Sequence, residues 1–198
     1  FDGQNRSDVF NSALEELSSS WPKSASVFLL TKPSASIGGY LFLLNQQTGT
    51  LSTVLSDMLG LDTIENSDGS FVFGSEINAG ALHSFMYDTK AGTLRAISLT
   101  TLPEKCVWSI NTTTEIYCAV PQSITSNNLP DDWYQGSLFL DGDDMWKIDA
   151  TTGETQVVNF LSGENPNIDA ENLFLDQNEI YMGFTNKKDL TLWALRLQ

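Results

Sequence analysis

The 198-residue chain is poor in basic residues: lysine and arginine number 10 against 25 aspartates and glutamates, and the formal net charge is -15. A surface of this sign repels phosphate backbones and anionic lipids, so we expect neither a nucleic-acid partner nor adsorption to an anionic membrane. Apolar runs are short as well, and none reaches the eighteen or more residues that predict a transmembrane helix. A basic protein, a cation or a neutral glycan remain as partners, unless the acidity serves solubility alone.

Motifs of several enzyme classes are also missing. The chain has one histidine, His83, and it has no Gly-x-Ser-x-Gly elbow, no His-Glu-x-x-His zinc motif and no glycine-rich phosphate loop. The cluster Asp141-Gly142-Asp143-Asp144 has residue types that suit calcium, but Thr152 stands where an EF-hand loop has its glutamate. An aspartate-rich turn is the favoured interpretation. We therefore predict a non-enzymatic protein with no catalytic residues, no metal site and no cofactor.

Cysteine is scarce too, and the two present are Cys106 and Cys118. They flank a short polar segment, 109–114, that predicts a hairpin turn centred near residues 111–113. Such a turn places the two cysteines opposite or nearly opposite each other on adjacent strands, which permits a disulfide. The alternative is two small buried hydrophobic side chains. We favour the disulfide, which implies an oxidising, extracytoplasmic compartment.

The chain does contain a repeat. Four apolar-aromatic segments, of strand length and similar sequence, are Phe42-Leu43-Leu44-Asn45, Phe85-Met86-Tyr87-Asp88, Trp146-Lys147-Ile148-Asp149 and Trp193-Ala194-Leu195-Arg196. The first three run on to a glycine turn: Thr48-Gly49-Thr50, Ala91-Gly92-Thr93 and Thr152-Gly153-Glu154. Self-similarity at roughly 45 to 60 residues is typical of β-propeller blades. The sequence therefore predicts an all-β array of three to four antiparallel blades, a partial or small propeller.

The first 22 residues differ from the rest. Val9, Phe10, Leu14 and Leu17 recur at helical spacing, Ser7 is a candidate N-cap, and Trp21-Pro22 would end the helix. We expect a short N-terminal helix or linker over 1–22 and a propeller-like repeat domain over 23–198. Because the sequence begins at Phe1 with no Met or leader, we also expect a mature or trimmed product.

Two segments carry a resemblance to a known family. The segments 67–73 and 145–155 resemble the WD40-like repeat of TolB-type β-propellers. The stretch 102–136 is similar to propeller domains of uncharacterised envelope proteins from uncultivated small-genome bacteria. The resemblance covers about residues 24 to 197, although the usual proline after the turn serine is missing from every unit. It implies the fold and an envelope location, and it says little of function, because propellers host many activities.

The third unit is longer than the others and contains an insertion, residues 121–138. It carries Asp131, Asp132, Trp133 and Tyr134, which are our candidate binding residues, since insertions in repeat folds lie on one face, often the binding face. Exposed aromatic side chains anchor protein partners or stack on sugars. The first hypothesis is therefore a protein-binding scaffold at or outside the cell envelope, and the alternative is a glycan-binding or glycan-processing module. A third interpretation has these aromatic side chains merely pin the loop to the blade.

Overall fold

The computed structural model describes residues 8–23, 26–126 and 128–197, and these fold into four antiparallel sheets. Each sheet is a blade in which sequence neighbours pair in order, as the repeat predicts. Blade 1 contains β1 (Leu17–Ser20), β2 (Ser26–Thr31), β3 (Gly38–Asn45) and β4 (Leu51–Leu59). Blade 2 contains β5 (Asp62–Glu65), β6 (Phe71–Asn78), β7 (Ala81–Asp88) and β8 (Thr93–Ile97). Blade 3 contains β9 (Cys106–Trp108), β10 (Glu115–Pro121), β11 (Asp143–Asp149) and β12 (Thr155–Asn159). Blade 4 contains β13 (Ala170–Leu175), β14 (Tyr181–Asn186) and β15 (Leu192–Arg196).

In the part of the chain that the structure describes, three short helical segments interrupt the strands. They are a 3₁₀ turn at Pro103–Lys105, the four-residue helix α1 at Asp131–Tyr134, and a 3₁₀ turn at Leu161–Gly163. Among the described residues, no helix has the length and apolar character that crossing a bilayer requires. The all-β class and the array of antiparallel blades are thus confirmed.

The repeated tetrapeptide ends the third strand of blades 1 to 3, and its last residue builds the turn that follows. In each case one side-chain oxygen accepts hydrogen bonds from two backbone N–H groups of the turn. The acceptors and their donors are Asn45 with Gln47 and Thr48, Asp88 with Lys90 and Ala91, and Asp149 with Thr151 and Thr152. The sequence repeat therefore encodes one type of turn, which an Asn or Asp side chain stabilises at the same place in three blades.

The glycine of each turn has a left-handed backbone. Gly92 has φ +66°, and a Cβ placed there would meet only the Tyr87 hydroxyl, at 3.9 Å. Gly92→Ala should therefore cost about 1–2 kcal/mol through backbone strain alone. Chemical denaturation measures the loss. Gly163→Ala is the matched control, because Gly163 also has open space around it but no positive φ, and we expect a change within about 0.5 kcal/mol there.

The predicted N-terminal helix is wrong for the described residues. Residues 8–16 have no regular structure, and Leu17–Ser20 form strand β1, in which Leu17 pairs with Thr31 and Ser20 with Phe28. A short isolated helix is marginal unless it packs an apolar face, whereas Val9 and Leu14 are exposed. Pairing with β2 instead satisfies the backbone of residues 17–20. The predicted N-cap, Ser7, lies outside the described residues.

Consecutive blades share buried apolar layers, as propeller blades do. The layer between blades 1 and 2 includes Phe28, Leu41, Val72 and Phe85. The layer between blades 2 and 3 includes Phe73, Met86, Trp108 and Ile148. The layer between blades 3 and 4 includes Ala119, Met145, Met182 and Phe184. Within the described parts of the chain, no such layer joins blade 4 to blade 1.

The two cysteines form a disulfide inside blade 3. Cys118 pairs directly with Cys106 across the β9–β10 hairpin, and both side chains are buried in the layer shared with blade 2. The predicted disulfide is confirmed, and the predicted turn lies between the two strands.

A thiol count in solution tests this bond. Denatured protein prepared without reductant should show no reactive thiol, and reduction should release two, because the described chain holds no free cysteine. A thiol reagent and mass spectrometry provide the measurement. Two reactive thiols before reduction would contradict the bond and remove its support for an oxidising compartment.

Candidate functional site

The insertion leaves blade 3 and touches all three other blades through one turn of helix. Asp131 Oδ2 accepts a hydrogen bond of 2.6 Å from the backbone N–H of Ala35, in the β2–β3 connection of blade 1. The Tyr134 hydroxyl lies 2.6 Å from Asp62 Oδ2 on β5 of blade 2. Trp133 Nε1 donates to Asp169 Oδ2 at 3.0 Å, just before β13 of blade 4. Helix α1 thus bridges blades 1, 2 and 4 through side-chain hydrogen bonds.

Trp133 is a core residue and not an exposed contact. Its side chain is only 2% exposed and packs with Leu82, Leu102 and Leu140. The ammonium group of Lys187, from blade 4, lies 4.1 Å from the ring centroid, a cation–π contact. The expectation of an exposed tryptophan on the insertion is therefore corrected. A helix of four residues makes a single turn, so only one of its sides faces the protein interior. Trp133 lies on that side.

A buried ion cluster lies beneath Trp133. Lys105 Nζ lies 2.8 Å from Asp143 Oδ2 and 2.5 Å from Asp169 Oδ1, and all three side chains are fully buried. The same ammonium group donates to the backbone carbonyls of Leu140 and Ala170. Two carboxylates share one cation, and burial raises the pKa of Asp143 to about 6, although the charge of Lys105 opposes the rise. The cluster joins blade 3, blade 4 and the insertion.

The raised pKa of Asp143 predicts a stability that falls with pH. The folded protein holds the Asp143 proton up to about pH 6, whereas the unfolded chain releases it near pH 3.8, the ordinary pKa of an aspartate. The folded state therefore binds more protons in this window, and the free energy of unfolding decreases as pH rises through it, by about 2–3 kcal/mol for this group. Burial also raises the pKa of Asp62 and Glu104 and adds to the same trend. Denaturation midpoints measured from pH 4 to 7 test it, and a rising midpoint would contradict it.

The acidic segment 141–144 is not a turn throughout, because β11 begins at Asp143, and each of its three carboxylates has its own partner. Asp141 pairs with Lys188, Asp143 pairs with Lys105, and Asp144 Oδ1 accepts from the backbone N–H and hydroxyl of Ser162. Among the described residues, no group of three or more His, Cys, Asp or Glu side chains is arranged to hold a metal ion.

An open pocket of about 500 Å³ lies beside α1. Its walls come from blade 1, the start of blade 2, the segment before β9 and the insertion. The lining residues are Ser18, Leu30, Lys32, Pro33, Asp62, Glu104, Asp131, Tyr134 and Gln135. Tyr134 is 40% exposed here. The structure thus brings two of the four predicted binding residues, Asp131 and Tyr134, into one pocket. Asp132 instead orders its own loop, accepting from the Ser126 hydroxyl and the Asn128 amide.

The floor of this pocket is a pair of carboxyl groups that one tyrosine hydroxyl bridges. The Tyr134 hydroxyl contacts both Asp62 Oδ2 and Glu104 Oε1. A tyrosine hydroxyl has one proton to donate, so both contacts are hydrogen bonds only if one carboxyl is protonated. Burial and then the charge of Asp62 raise the pKa of Glu104 well above its ordinary range, and burial raises the pKa of Asp62. Glu104 Oε2 is buried and has no hydrogen-bond partner among the described residues.

Sequence reasoning missed Asp62, Glu104, Lys105 and Asp169. None belongs to a motif, but a positional signal exists. A charged residue opens β5 at Asp62, and one directly precedes β9 at Lys105 and β13 at Asp169. A charged residue therefore stands at the start of the first strand of each of these blades, or directly before it, at the edge where the insertion packs. Aligning the repeats on this position would have identified the cluster.

Comparisons with solved structures agree with this architecture. No protein-family model matches the chain, and no curated protein matches it in sequence. TolB from Acinetobacter baumannii superposes with a TM-score of 0.59 at 11% identity, over 100% of this chain and 47% of that one. Hydrazine synthase from Kuenenia stuttgartiensis gives 0.58 at 11% identity, over 89% of this chain and 51% of that one. A nidogen/laminin complex gives 0.56 at 9% identity, over 88% of this chain and 57% of that one.

These similarities concern shape alone, because the identities are low. They include an enzyme and a complex of proteins, so they do not select one activity. The chain spans about half the length of the solved structures that it matches. Its fold is that of the TolB-type β-propellers.

Proposed function

We propose that this chain is a non-enzymatic β-propeller module that binds a protein partner at or outside the cell envelope. The observation that carries the proposal is the acidic pocket beside α1, where Asp62, Glu104 and Asp131 surround the exposed side of Tyr134. A half-exposed tyrosine within a ring of polar groups is a common anchor in protein interfaces. The binding domain on this proposal is the repeat domain, residues 23–198, with β1 as its additional strand.

The arrangement of the carboxyl groups favours binding over hydrolysis. Asp62 and Glu104 are within hydrogen-bonding reach of each other, and both contact one hydroxyl. Glycoside hydrolysis uses carboxyl groups about 5 Å or more apart, with the sugar between them. Trp133, on which a sugar was expected to stack, is buried. The pair therefore does not suit glycoside hydrolysis, and one expected glycan contact is lost.

The proposed location is supported by the disulfide. Cys106–Cys118 would be reduced by the thiol pools of the cytosol unless it were strongly protected, whereas it persists in an oxidising compartment. The net charge of -15 is compatible with a basic partner there.

Site-specific photocrosslinking tests the partner proposal. A photoreactive phenylalanine replaces Gln135, an exposed residue at the pocket, and the protein is irradiated in an extracytoplasmic extract of the source organism. We expect one discrete crosslinked protein. The control position is Lys90, exposed in the β7–β8 turn of blade 2, and it should give none. No discrete product from residue 135, or the same products from both positions, would refute the proposal.

A further inference from the structure

We propose that the acidic pocket receives an arginine side chain of the partner, and that its guanidinium group displaces the proton held between Asp62 and Glu104. This proposal rests on the partner-binding function above and names the chemistry of its central contact. Three carboxyl groups line the pocket, and Lys32 is the lysine that lines it with them. Lys32 is largely exposed and pairs with Glu16 outside the pocket, at 3.4 Å. The carboxyl groups therefore have no strong counter-ion within the described pocket wall.

The pocket contains an acceptor with no donor. Glu104 Oε2 is buried without a hydrogen-bond partner among the described residues, although Glu104 lines the cavity. Leaving a buried carboxyl oxygen unsatisfied is unfavourable, so native structures normally provide such an atom with a donor. In the empty pocket the proton that Glu104 shares with Asp62 offsets this lack, and a guanidinium that displaces the proton would bring N–H donors in its place. The nearby Asp131 uses Oδ2 to hold Ala35, which fixes its carboxylate at the pocket wall.

Arginine fits this set of acceptors better than lysine does. Its planar guanidinium has five N–H donors, and it sheds water more readily than an ammonium group. The apolar part of the pocket, from Leu30 and Pro33, would contact the methylene stem. Tyr134 is 40% exposed and lines the pocket, and its ring would offer a cation–π contact to the same group. A volume of about 500 Å³ accommodates the side chain together with part of the adjoining peptide.

Binding is coupled to a proton because the empty pair needs one. The proton is shared by Asp62 on β5 and Glu104 before β9, with the Tyr134 hydroxyl of α1 between them. The other charged groups that face the pair are Glu65 on β5, Asp131 on α1, Lys32 after β2 and Lys187 after β14. When the guanidinium enters, it replaces the proton as the positive charge between the carboxylates. The proton leaves to solvent, so affinity should increase with pH, up to tenfold per unit below the pKa of the pair.

The test uses the full chain and the peptide acetyl-Gly-Arg-Gly-amide, titrated by calorimetry from pH 5.5 to 8. We expect saturable binding that strengthens with pH, with about one proton released when two buffers of different ionisation enthalpy are compared. The citrulline analogue, isosteric but neutral, should bind at least tenfold more weakly. Equal binding of both peptides, absence of binding, or binding without proton release would overturn the proposal.

Isosteric variants show which carboxyl groups are responsible for arginine binding and proton release. Glu104→Gln should weaken binding tenfold or more and abolish proton release, and Asp131→Asn should weaken binding while its oxygen still accepts from Ala35. Glu154→Gln is the matched control, because Glu154 is exposed in the β11–β12 turn and does not line the pocket. If the control weakens binding as much as Glu104→Gln, the pocket assignment is wrong. Asp131→Asn decides the matter if Glu104→Gln does not fold.

The two proposals can fail separately. If residue 135 crosslinks one protein but excess arginine peptide neither binds nor reduces the crosslink, the arginine contact is refuted and the partner-binding function stands. If the peptide binds but no crosslink forms, the pocket chemistry stands and the protein partner is refuted.

Discussion

Lys105→Met should lower the free energy of unfolding by about 3–5 kcal/mol, the loss typical of breaking a buried ion pair by removing one partner. Methionine fills nearly the same volume, so the cost is electrostatic. Asp143 and Asp169 would remain fully buried without their cation, and both also accept backbone hydrogen bonds that fix them in place. Urea denaturation followed by circular dichroism provides the measurement.

A second lysine provides the control. Lys147 pairs with Glu115 at 3.1 Å, but both side chains are about 30% exposed. Lys147→Met should cost no more than about 1 kcal/mol, as exposed pairs do. The deficit of Lys105→Met should also shrink at pH 4, because Asp143, whose pKa burial raises to about 6, is then protonated and leaves less uncompensated charge. Equal losses for the two variants would show that the buried cluster has no special role.

Trp133→Ala should destabilise the protein by about 3–5 kcal/mol, as large-to-small changes in a core do. The indole fills the space under α1, donates to Asp169, and underlies the Lys187 contact. Removing it leaves a cavity and frees an acceptor next to the buried ion cluster. Equilibrium denaturation measures the loss. Trp21→Ala is the control, because that side chain is 70% exposed and should cost less than about 0.5 kcal/mol.

The sequence predicted an exposed Trp133 that binds the partner, so replacing it would have weakened partner capture and left the melting temperature nearly unchanged. A large loss of stability is the opposite expectation. The structure instead separates the two aromatic neighbours: Trp133 is buried and Tyr134 faces the pocket. An unchanged denaturation midpoint for Trp133→Ala would contradict the buried position.

The features that the sequence predicted correctly are local ones. The blade turns follow from an Asn or Asp and a glycine a few residues apart, and the disulfide follows from two cysteines flanking one hairpin. The N-terminal helix failed because the spacing of Val9 and Leu14 carries no information about the open edge of β2. That edge was available to pair with residues 17–20.

The candidate site was only half predictable for the same reason. The insertion was visible as the longest step between repeats, and it does carry Asp131 and Tyr134 to the pocket. Whether a residue of α1 points inward depends on Asp62, Asp169 and Lys187, which belong to other blades. No short-range pattern encodes these contacts. The sequence approach with the best prospect of identifying these residues is an alignment of the repeats that compares the charges at the start of each blade.

The hydrogen bonds that α1 makes to blades 1, 2 and 4 have a consequence for how the protein unfolds. A row of blades that contact only their neighbours can fray from either end, one unit at a time. Here Asp131 reaches Ala35, 96 residues away, and Trp133 reaches Asp169 in the last blade. Blades 1 and 4 are therefore tied to the same short helix, and loosening one removes support from the other. Hydrogen exchange should show the amides of blades 1 and 4 becoming exposed only when the whole described array unfolds. Side-chain contacts of α1 would then give these stacked blades the cooperative unfolding that is expected of a closed ring.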